Sequence, residues 1–384
     1  MGERLGRYTF VKEDTAGTIA TNPKGIVGLK FETDTSNVAQ ATEKPPKLGD
    51  GNAAPKQSYG VKSYPVALTT RLATDNAALL FESLIGEGTE TDASNDNWAA
   101  TDTVAVGDIV NHSNTTQSLT CVKAGTTGGS EPDLTSSNRG DRITDGTAEW
   151  IVMPKLKQLV TERGNCLATF TMERRHDTGC ATVTNQHDRF LGVFLKSIPL
   201  NLTGDTIGQA ITVDAEALNF EDQSNPDTFT GSFEAIKDMS GYTEQTTEDD
   251  VYGYEDATFF YNGVESNGIE ASNVTINNNQ TVVNELNRAK RKNTGIFDIT
   301  GNLIGLFDAT RLRQAYTHEA VNVKFLYQKA NGCKVEVELQ IEGAAVSRGI
   351  TVGEDTRLDI PFNGFDSSST KSVKVTIVSP ITLE

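Results

Sequence analysis

The sequence has few positive charges. It holds 34 lysines and arginines against 52 aspartates and glutamates, so its formal net charge is −18 with histidine neutral. Proteins that bind nucleic acid regardless of sequence neutralise phosphates with lysine and arginine and release counterions. A chain this acidic is therefore not expected to coat or to grip DNA.

Cysteine and histidine are scarce as well, and neither is arranged in a known chemical motif. The four cysteines are scattered without a CxxC pair, which fits neither a zinc knuckle nor a disulfide framework. The four histidines limit any catalytic triad or metal site, and no GxSxG, Walker, HExxH or GxGxxG motif occurs. We therefore expect no enzymatic activity, no cofactor and no metal site.

Two His-Asp dipeptides, at His176 and His187, come nearest to the site of a metal-dependent hydrolase. Such a site needs its ligands on helices, whereas Thr, Gly and Asn residues surround these pairs. We therefore predict that both dipeptides lie on exposed loops. A hydrolase would require a histidine-centred site that the other residues do not supply.

Long apolar runs are also missing. No uninterrupted run of about 18 apolar residues occurs, so no membrane-spanning helix is expected. Residues 1–10 contain no apolar stretch of the kind found in secretory signals. We expect a protein that is made and kept in the cytosol.

The apolar residues that are present form short alternating runs, separated by Thr, Asn, Gly, Asp and Ser. This composition predicts a mainly β protein with long polar loops. Residues 25–33 and 60–72 are typical strand candidates, and Pro65 in the second run predicts an edge strand or a bulge. Asn331-Gly332 predicts a hairpin with a type I′ turn.

Two helices interrupt the β pattern. The first is predicted over residues 75–85, with Thr74 or Asp75 as its cap and an apolar stripe of leucine and phenylalanine. The second is predicted over residues 308–318, with Asp308 as its cap and Leu312 and Ala315 facing inward.

Three polar segments stand out between these elements. Residues 41–57 predict a long exposed loop, rich in proline, glycine and lysine, that is too long for an ordinary connection. The acidic run over residues 244–256 predicts a solvated loop. The basic cluster of Arg288, Lys290, Arg291 and Lys292 predicts either a solvated loop or partners for the chain's own carboxylates.

Residues 87–97 predict a polar linker, and residues 98–153 a small separate β unit with a hairpin turn at Asp145-Gly146. Both tryptophans of the chain, Trp98 and Trp150, fall in this unit. An exposed tryptophan can stack on a sugar ring, whereas a small sheet more commonly buries its tryptophans. Both interpretations are open at this point.

Four segments, taken in their order along the chain, resemble the tail tube proteins of long-tailed bacteriophages. They are "ALTTRLATDNAALLFESLIGEG" at 67–88, "RFLGVFLKSIPLNL" at 189–202, "GIFDITGNLIGLFDATRLRQAY" at 295–316 and "LDIPFNGFDSSSTKSVKVTIVSP" at 358–380. The resemblance implies a discontinuous tail tube domain over residues 1–92 and 154–384, and an inserted, outward-facing β module over residues 93–153. It also implies a fold of two packed, mostly antiparallel sheets with a flanking α-helix, plus the small inserted β domain.

The function that this resemblance implies is that of a structural virion protein. Subunits are expected to form stacked hexameric rings, and these rings make up the tail tube. Double-stranded DNA is expected to pass through the tube without tight binding, and the tube is expected to assemble in the host cytoplasm. Tape measure and tail terminator proteins are the expected partners besides the chain itself. The candidate arm between adjacent rings is Lys44, Pro45, Pro46 and Lys47, since the loop's length and composition suit a segment that orders on a partner.

A different class of function remains open beside this one. A glycan-binding adhesin or decoration protein of the virion would explain the tryptophan-containing unit, with Trp98 and Trp150 as the contacts to sugar.

Overall fold

The computed structural model describes residues 7–27, 31–43, 57–93, 96–114, 116–164, 166–176, 186–203, 210–224, 233–245, 251–266, 269–284, 290–293, 295–306, 309–343, 347–349, 357–367 and 370–380. Within these residues the chain is mainly β, with two α-helices. The prediction of a mainly β fold is confirmed.

The elements follow one another along the chain in four groups. Up to the first helix they are β1 (Arg7–Lys12), β2 (Lys24–Val27), β3 (Phe31–Asp34), β4 (Ala39–Glu43), β5 (Ser58–Ser63), β6 (Pro65–Arg71) and α1 (Thr74–Leu84). Next come β7 (Thr89–Asp92), β8 (Thr103–Val104), β9 (Ile109–Asn111), β10 (Gln117–Lys123), β11 (Gly125–Thr126), β12 (Arg142–Asp145), β13 (Ala148–Pro154) and β14 (Lys157–Glu162).

The remaining elements belong to the part of the chain that follows β14. Its first strands are β15 (Phe170–His176), β16 (Gln186–Thr203), β17 (Ala210–Glu216), β18 (Asn219–Asp222), β19 (Thr243–Gln245), β20 (Ala257–Tyr261), β21 (Val264–Glu265), β22 (Ile269–Asn277), β23 (Thr281–Val283) and β24 (Arg291–Asn293). The last elements are β25 (Asp298–Leu306), α2 (Ala309–Tyr316), β26 (Ala320–Gln328), β27 (Lys334–Gly343), β28 (Ser347–Gly349), β29 (Arg357–Gly364) and β30 (Val373–Ser379).

Two antiparallel layers form the body. One runs in the order β3-β6-β17-β16-β22-β25-β29, and the other in the order β20-β26-β27-β30-β14-β7. They are joined where the end of β27 pairs with the end of β29. The first half of β16 also pairs with β18 on one side and with β15 on the other, and β15 continues through β1 and β2 to β19.

Helix α1 lies between the two layers, in contact with β16 on one side and with β30, β14 and β27 on the other. All eleven of its residues are buried, so no face of α1 is exposed to solvent. The helix therefore lies inside the body rather than on the flank of the sheets, where it was expected. Its polar side chains are accommodated because the strands bond to them. Asn76 donates to the Thr70 hydroxyl at 3.1 Å, and the Ser83 hydroxyl accepts from the backbone N–H of Leu195 at 3.0 Å.

The ends of both helices differ slightly from the prediction. The cap of α1 is Ala73 rather than Thr74 or Asp75, and the Asn76 side chain accepts from the Ala73 N–H at 3.0 Å. Helix α2 ends at residue 316, because His318 takes a left-handed conformation with φ of 52°. The inward direction of Leu312 and Ala315 is confirmed, since both are buried against β29, while Asp308 lies outside the described residues.

Three strand predictions need correction. The run over residues 60–72 is two strands, and β6 has neighbours on both sides, so the edge position predicted from Pro65 is wrong. The proline is tolerated because it is the first residue of its strand. The linker predicted over residues 87–97 contains β7, whose Asp92 forms ion pairs with Lys155 at 2.8 Å and Lys157 at 3.0 Å.

The hairpin between β26 and β27 occurs where it was predicted, with a different turn. Among the residues of this turn only Gly332 has a positive φ, of 88°, and its N–H bonds to the Lys329 carbonyl at 3.1 Å. This hydrogen bond places the turn at residues 329–332. It is not a type I′ turn, because Asn331 does not enter the left-handed region that such a turn requires.

Candidate assembly surfaces

The outer side of the first layer is a broad surface that we call the polar face. It consists of the outward side chains of β6, β17, β16, β22, β25 and β29. The alternate residues of these strands are mainly Val, Ile, Leu and Phe, and they point inward into the core. Its members are mainly uncharged. They include Thr69, Ser197, Thr212, Asn273, Thr275, Asn277, Thr300, Asn302 and Asn363.

Cross-strand hydrogen bonds tie these side chains together. Asn273 donates to Asn302 at 3.2 Å, and Asn302 donates to Asp359 at 3.1 Å. Thr69 and Thr212 lie opposite each other, with their hydroxyl oxygens 3.5 Å apart. The side chains of the polar face are thus held in rows by their neighbours.

The charges on the polar face are mostly negative, and two of its cations form ion pairs. Arg71 pairs with Glu32 at 2.6 Å, and Lys196, at a bulge in β16, pairs with Glu216 at 2.8 Å. Exposed carboxylates at Asp214 and Asp298 add negative charge. Arg71 and Lys196 are therefore paired with the chain's own carboxylates rather than free to bind a phosphate group.

A second surface is the hairpin of β4 and β5, which we call the arm. Its residues are exposed, apart from half-buried Ser63 at its base, and its strands pair only with each other among the described residues. Two apolar side chains of β5 face solvent, with Tyr59 66% and Val61 62% exposed. An isolated two-stranded hairpin is marginally stable, and exposed apolar side chains commonly mark contact sites.

The arm corrects part of the prediction for residues 41–57. Residues 41–43 belong to β4 and are therefore strand rather than loop. The candidate residues Lys44, Pro45, Pro46 and Lys47 lie beyond the end of β4 and outside the described residues.

The small β unit forms a four-stranded sheet in the order β12-β13-β10-β9, and each side of this sheet packs on a different cluster. One side packs internally around Trp150, with Leu119 and Val152. On the other side, Ile151 and Met153 pack with three residues of the body: Leu156, Cys333 and Val378. The unit is therefore seated on the body by an apolar contact, and this contact was not recognised from the sequence.

The two tryptophans of this unit point to the same carboxylate. Trp98 donates to Asp145 at 2.7 Å, and Trp150 donates to it at 3.2 Å. Trp150 is 0% exposed, and Trp98 is half-buried against the same cluster. The Trp150 ring thus offers no face to a sugar, so the structure gives the glycan alternative no support at this residue.

A buried ionic network lies where the second His-Asp dipeptide occurs. His187 and Asp188 are buried in β16, so the exposed-loop prediction is wrong for them, whereas His176, at the end of β15, is exposed. Glu173 accepts from His187 at 3.2 Å and from Arg189 at 2.7 Å.

Glu173 also accepts from the backbone N–H of Ile236, at 3.1 and 3.2 Å to its two oxygens. Burial by itself would raise the pKa of Glu173, but the hydrogen bond from His187 and the Arg189 guanidinium outweigh it and lower the pKa. The network therefore keeps the Glu173 carboxylate charged in the interior. Its hydrogen-bond partners, His187, Arg189 and the backbone of Ile236, connect neighbouring segments of the fold.

Several residues of the acidic run and of the basic cluster contact the rest of the protein instead of lying in solvated loops. Glu244 is part of β19, and Asp256 pairs with Lys329 at 2.6 Å, while residues 246–250 lie outside the described part of the chain. The ammonium groups of Lys290 and Lys292 contact backbone carbonyls and aromatic rings rather than carboxylates. Arg288 lies outside the described residues.

The described ranges contain neither a candidate membrane span nor a candidate metal centre. None of the helices there is both long and apolar enough to cross a membrane. No group of three or more His, Cys, Asp or Glu side chains in the same ranges is placed to hold a metal ion.

Comparison with known proteins is clear for one family. A family model described as phage tail tube protein matches residues 4–364, nearly the whole chain. No curated protein matches the chain.

Proposed function

We propose, from the fact that this chain belongs to the phage tail tube protein family, that its subunits form stacked rings whose lumen conducts double-stranded DNA to the host cell. The chain is a structural protein of the phage tail, and the family implies a tube of identical subunits. The hexameric number of subunits is taken from the resemblance.

The observation that carries the proposal is the polar face. A conduit for DNA must be wettable and must not hold phosphates, because each phosphate neutralised by lysine or arginine adds affinity through counterion release. Rows of asparagine and threonine with paired cations and exposed Asp214 and Asp298 meet both conditions. We therefore assign the polar face to the lumen.

Ring formation also agrees with the sheet edges. β3 has a single neighbour among the described strands, and so has β28 at the opposite end of the same layer. An exposed edge offers unpaired backbone groups to another chain, and a head-to-tail contact that closes by rotation gives a ring. Joining these edges around a ring would extend the polar face into a closed barrel.

The arm is assigned to the contact between adjacent rings. Tyr59 and Val61 supply apolar area that the arm's own subunit does not cover, and Lys44, Pro45, Pro46 and Lys47 follow in the connection between its strands. A segment of this composition is suited to ordering on a partner.

The chain is divided into a tail tube domain over residues 1–92 and 154–384 and a module over residues 93–153. The module has its own sheet and its own tryptophan-centred cluster. We assign it to the outside of the tube as a decoration. Assembly in the host cytoplasm, contacts with tape measure and terminator proteins, and the lack of any catalytic role complete the proposal.

The test is electron microscopy of the purified protein. Negative staining should show rings or hollow tubes of constant bore, and image averaging should give the number of subunits per ring. A protein that remains monomeric at all concentrations, with native circular dichroism, would refute self-assembly.

A further inference from the structure

Two segments of the chain, which we call the legs, connect the arm to the body. The first leg, residues 35–38, is held by backbone hydrogen bonds. The N–H groups of Thr35 and Asn37 donate to the carbonyls of Ala67 and Pro65 at 3.0 and 3.2 Å. The buried Ser36 hydroxyl accepts from the Ala67 N–H at 3.3 Å. This leg is therefore fixed along the start of β6.

The second leg is a single residue, Tyr64, between the end of β5 and the start of β6. Its carbonyl accepts from the N–H of Ala217 at 2.9 Å, and its ring stacks on Phe220 with the ring centroids 6.2 Å apart. The direction in which β5 continues depends on how this residue is held.

Lys290 also contacts Tyr64. Its ammonium lies 3.9 Å from the centroid of the Tyr64 ring and donates to the carbonyl of Lys62, within β5 itself. A cation at this distance from an aromatic face is attracted by the ring quadrupole. Burial lowers the pKa of Lys290, although nearby Glu216 opposes the shift.

The hairpin that carries Lys290 is itself attached to the body. Lys292, two residues further on, donates to the Leu167 carbonyl at 2.9 Å and lies 5.9 Å from the centroid of Phe194. Lys290 therefore joins the base of the arm to a segment that is anchored independently of the arm.

We propose that Lys290 is a positioning residue for assembly, which sets the direction of the arm by clamping Tyr64 and the carbonyl of Lys62. Without the clamp, the arm keeps its own pairing but swings about its first leg. Fewer subunits would then present the arm in the direction that a neighbouring ring accepts. This inference rests on the proposed role of the arm between rings.

The test compares Lys290→Met, which keeps the length of the side chain but removes its charge, with Lys290→Arg, which keeps a cation and a donor. Tyr64→Leu removes the ring from the same clamp, and Tyr64→Phe is its matched control. A dye on Ser58→Cys, an exposed position of β5, in a background of Cys166→Ser and Cys180→Ser, reports arm motion by fluorescence anisotropy, and polymerisation is followed on the same variants without the dye. Light scattering reports polymerisation, and circular dichroism reports the fold.

We expect Lys290→Met and Tyr64→Leu to lower the anisotropy of the subunit and to slow polymerisation about tenfold. Lys290→Arg and Tyr64→Phe should keep both the anisotropy and the polymerisation rate of the unmodified chain. Unchanged anisotropy in either disrupting variant with a native circular dichroism spectrum would overturn the clamp. Should the unmodified chain form no tubes, the proposed function fails, but anisotropy of the subunit still decides whether Lys290 holds the arm.

Discussion

The side-chain hydroxyl of Thr120 donates a hydrogen bond to the backbone carbonyl of Asn331 at 3.0 Å, and so links β10 of the module to the turn between β26 and β27. A side chain on the adjacent Gly332 would collide with Thr120, which makes the contact close as well as polar. The module is therefore joined to the body by a specific contact in addition to its chain connections.

Removal of the module should destabilise the body. If a short Gly/Ser linker replaces residues 93–153, Leu156, Cys333 and Val378 lose the apolar partners Ile151 and Met153. Each newly exposed aliphatic side chain costs about 1–2 kcal/mol. We expect a lower thermal unfolding midpoint, measured by calorimetry, with tubes of unchanged bore once assembled. An unchanged midpoint would show that the contact contributes nothing to stability.

Replacement of the buried tryptophan should unfold the module selectively. Trp150→Ala removes the centre of the module's internal cluster and one donor to Asp145, at a cost of about 3–5 kcal/mol. Limited proteolysis should then cut within residues 93–153 while the rest of the chain resists. Trp98→Phe is the milder control, because Trp98 is only half-buried. Loss of glycan binding with the module intact would instead favour the adhesin function.

The loop between the arm strands should be needed for stacking but not for folding. Deletion of residues 44–54 should leave a soluble subunit with native circular dichroism that no longer polymerises, because the connection between rings is removed. Polymerisation at the unmodified rate, followed by light scattering, would exclude the loop from the contact between rings.

Cations placed on the polar face should make it retain DNA. Asn273→Lys with Thr275→Lys adds unpaired ammonium groups in adjacent rows, and each neutralised phosphate steepens the dependence of binding on salt. Co-sedimentation of tubes with linear DNA at low salt should rise for this variant and fall as salt is added. Asn273→Asp with Thr275→Asp is the control, and, like the unmodified tube, it should bind no DNA. Salt-sensitive binding by the unmodified tube would contradict assignment of this face to the lumen.

Glu82 should make stability depend on pH. Burial raises its pKa above the usual 4.5, although Lys12 lies 3.3 Å away and opposes the shift. The folded state thus binds a proton more tightly than the unfolded state. This contribution is complete below pH 4.5 and is lost as pH rises through the raised pKa.

The variant Glu82→Gln cannot titrate, yet its amide oxygen can still accept from the Gly88 N–H. The fall in its unfolding midpoint from about pH 4.5 upward should be smaller than that of the unmodified chain. Parallel midpoint curves for the two proteins would show that Glu82 does not titrate in this range.

Much of the architecture was determined by the sequence alone. Alternation of apolar residues in β26 and β27 places Val323, Phe325, Val335 and Val337 in the core, and this period-two pattern is a local property of the chain. The apolar spacing of Leu312 and Ala315 likewise sufficed to orient α2. The order of such segments along the chain also carried the family resemblance.

Tertiary structure decided what depends on contacts between distant residues. Glu173, His187 and Arg189 look like exposed polar residues in the sequence, but they are buried together because β15 and β16 pair in a register that brings opposite charges within hydrogen-bond distance. The same holds for Lys290, whose ring and carbonyl partners lie more than 200 residues earlier in the chain. A sequence pattern reports the apolar period of one element at a time, whereas burial of a charge depends on partners that only the folded chain brings together.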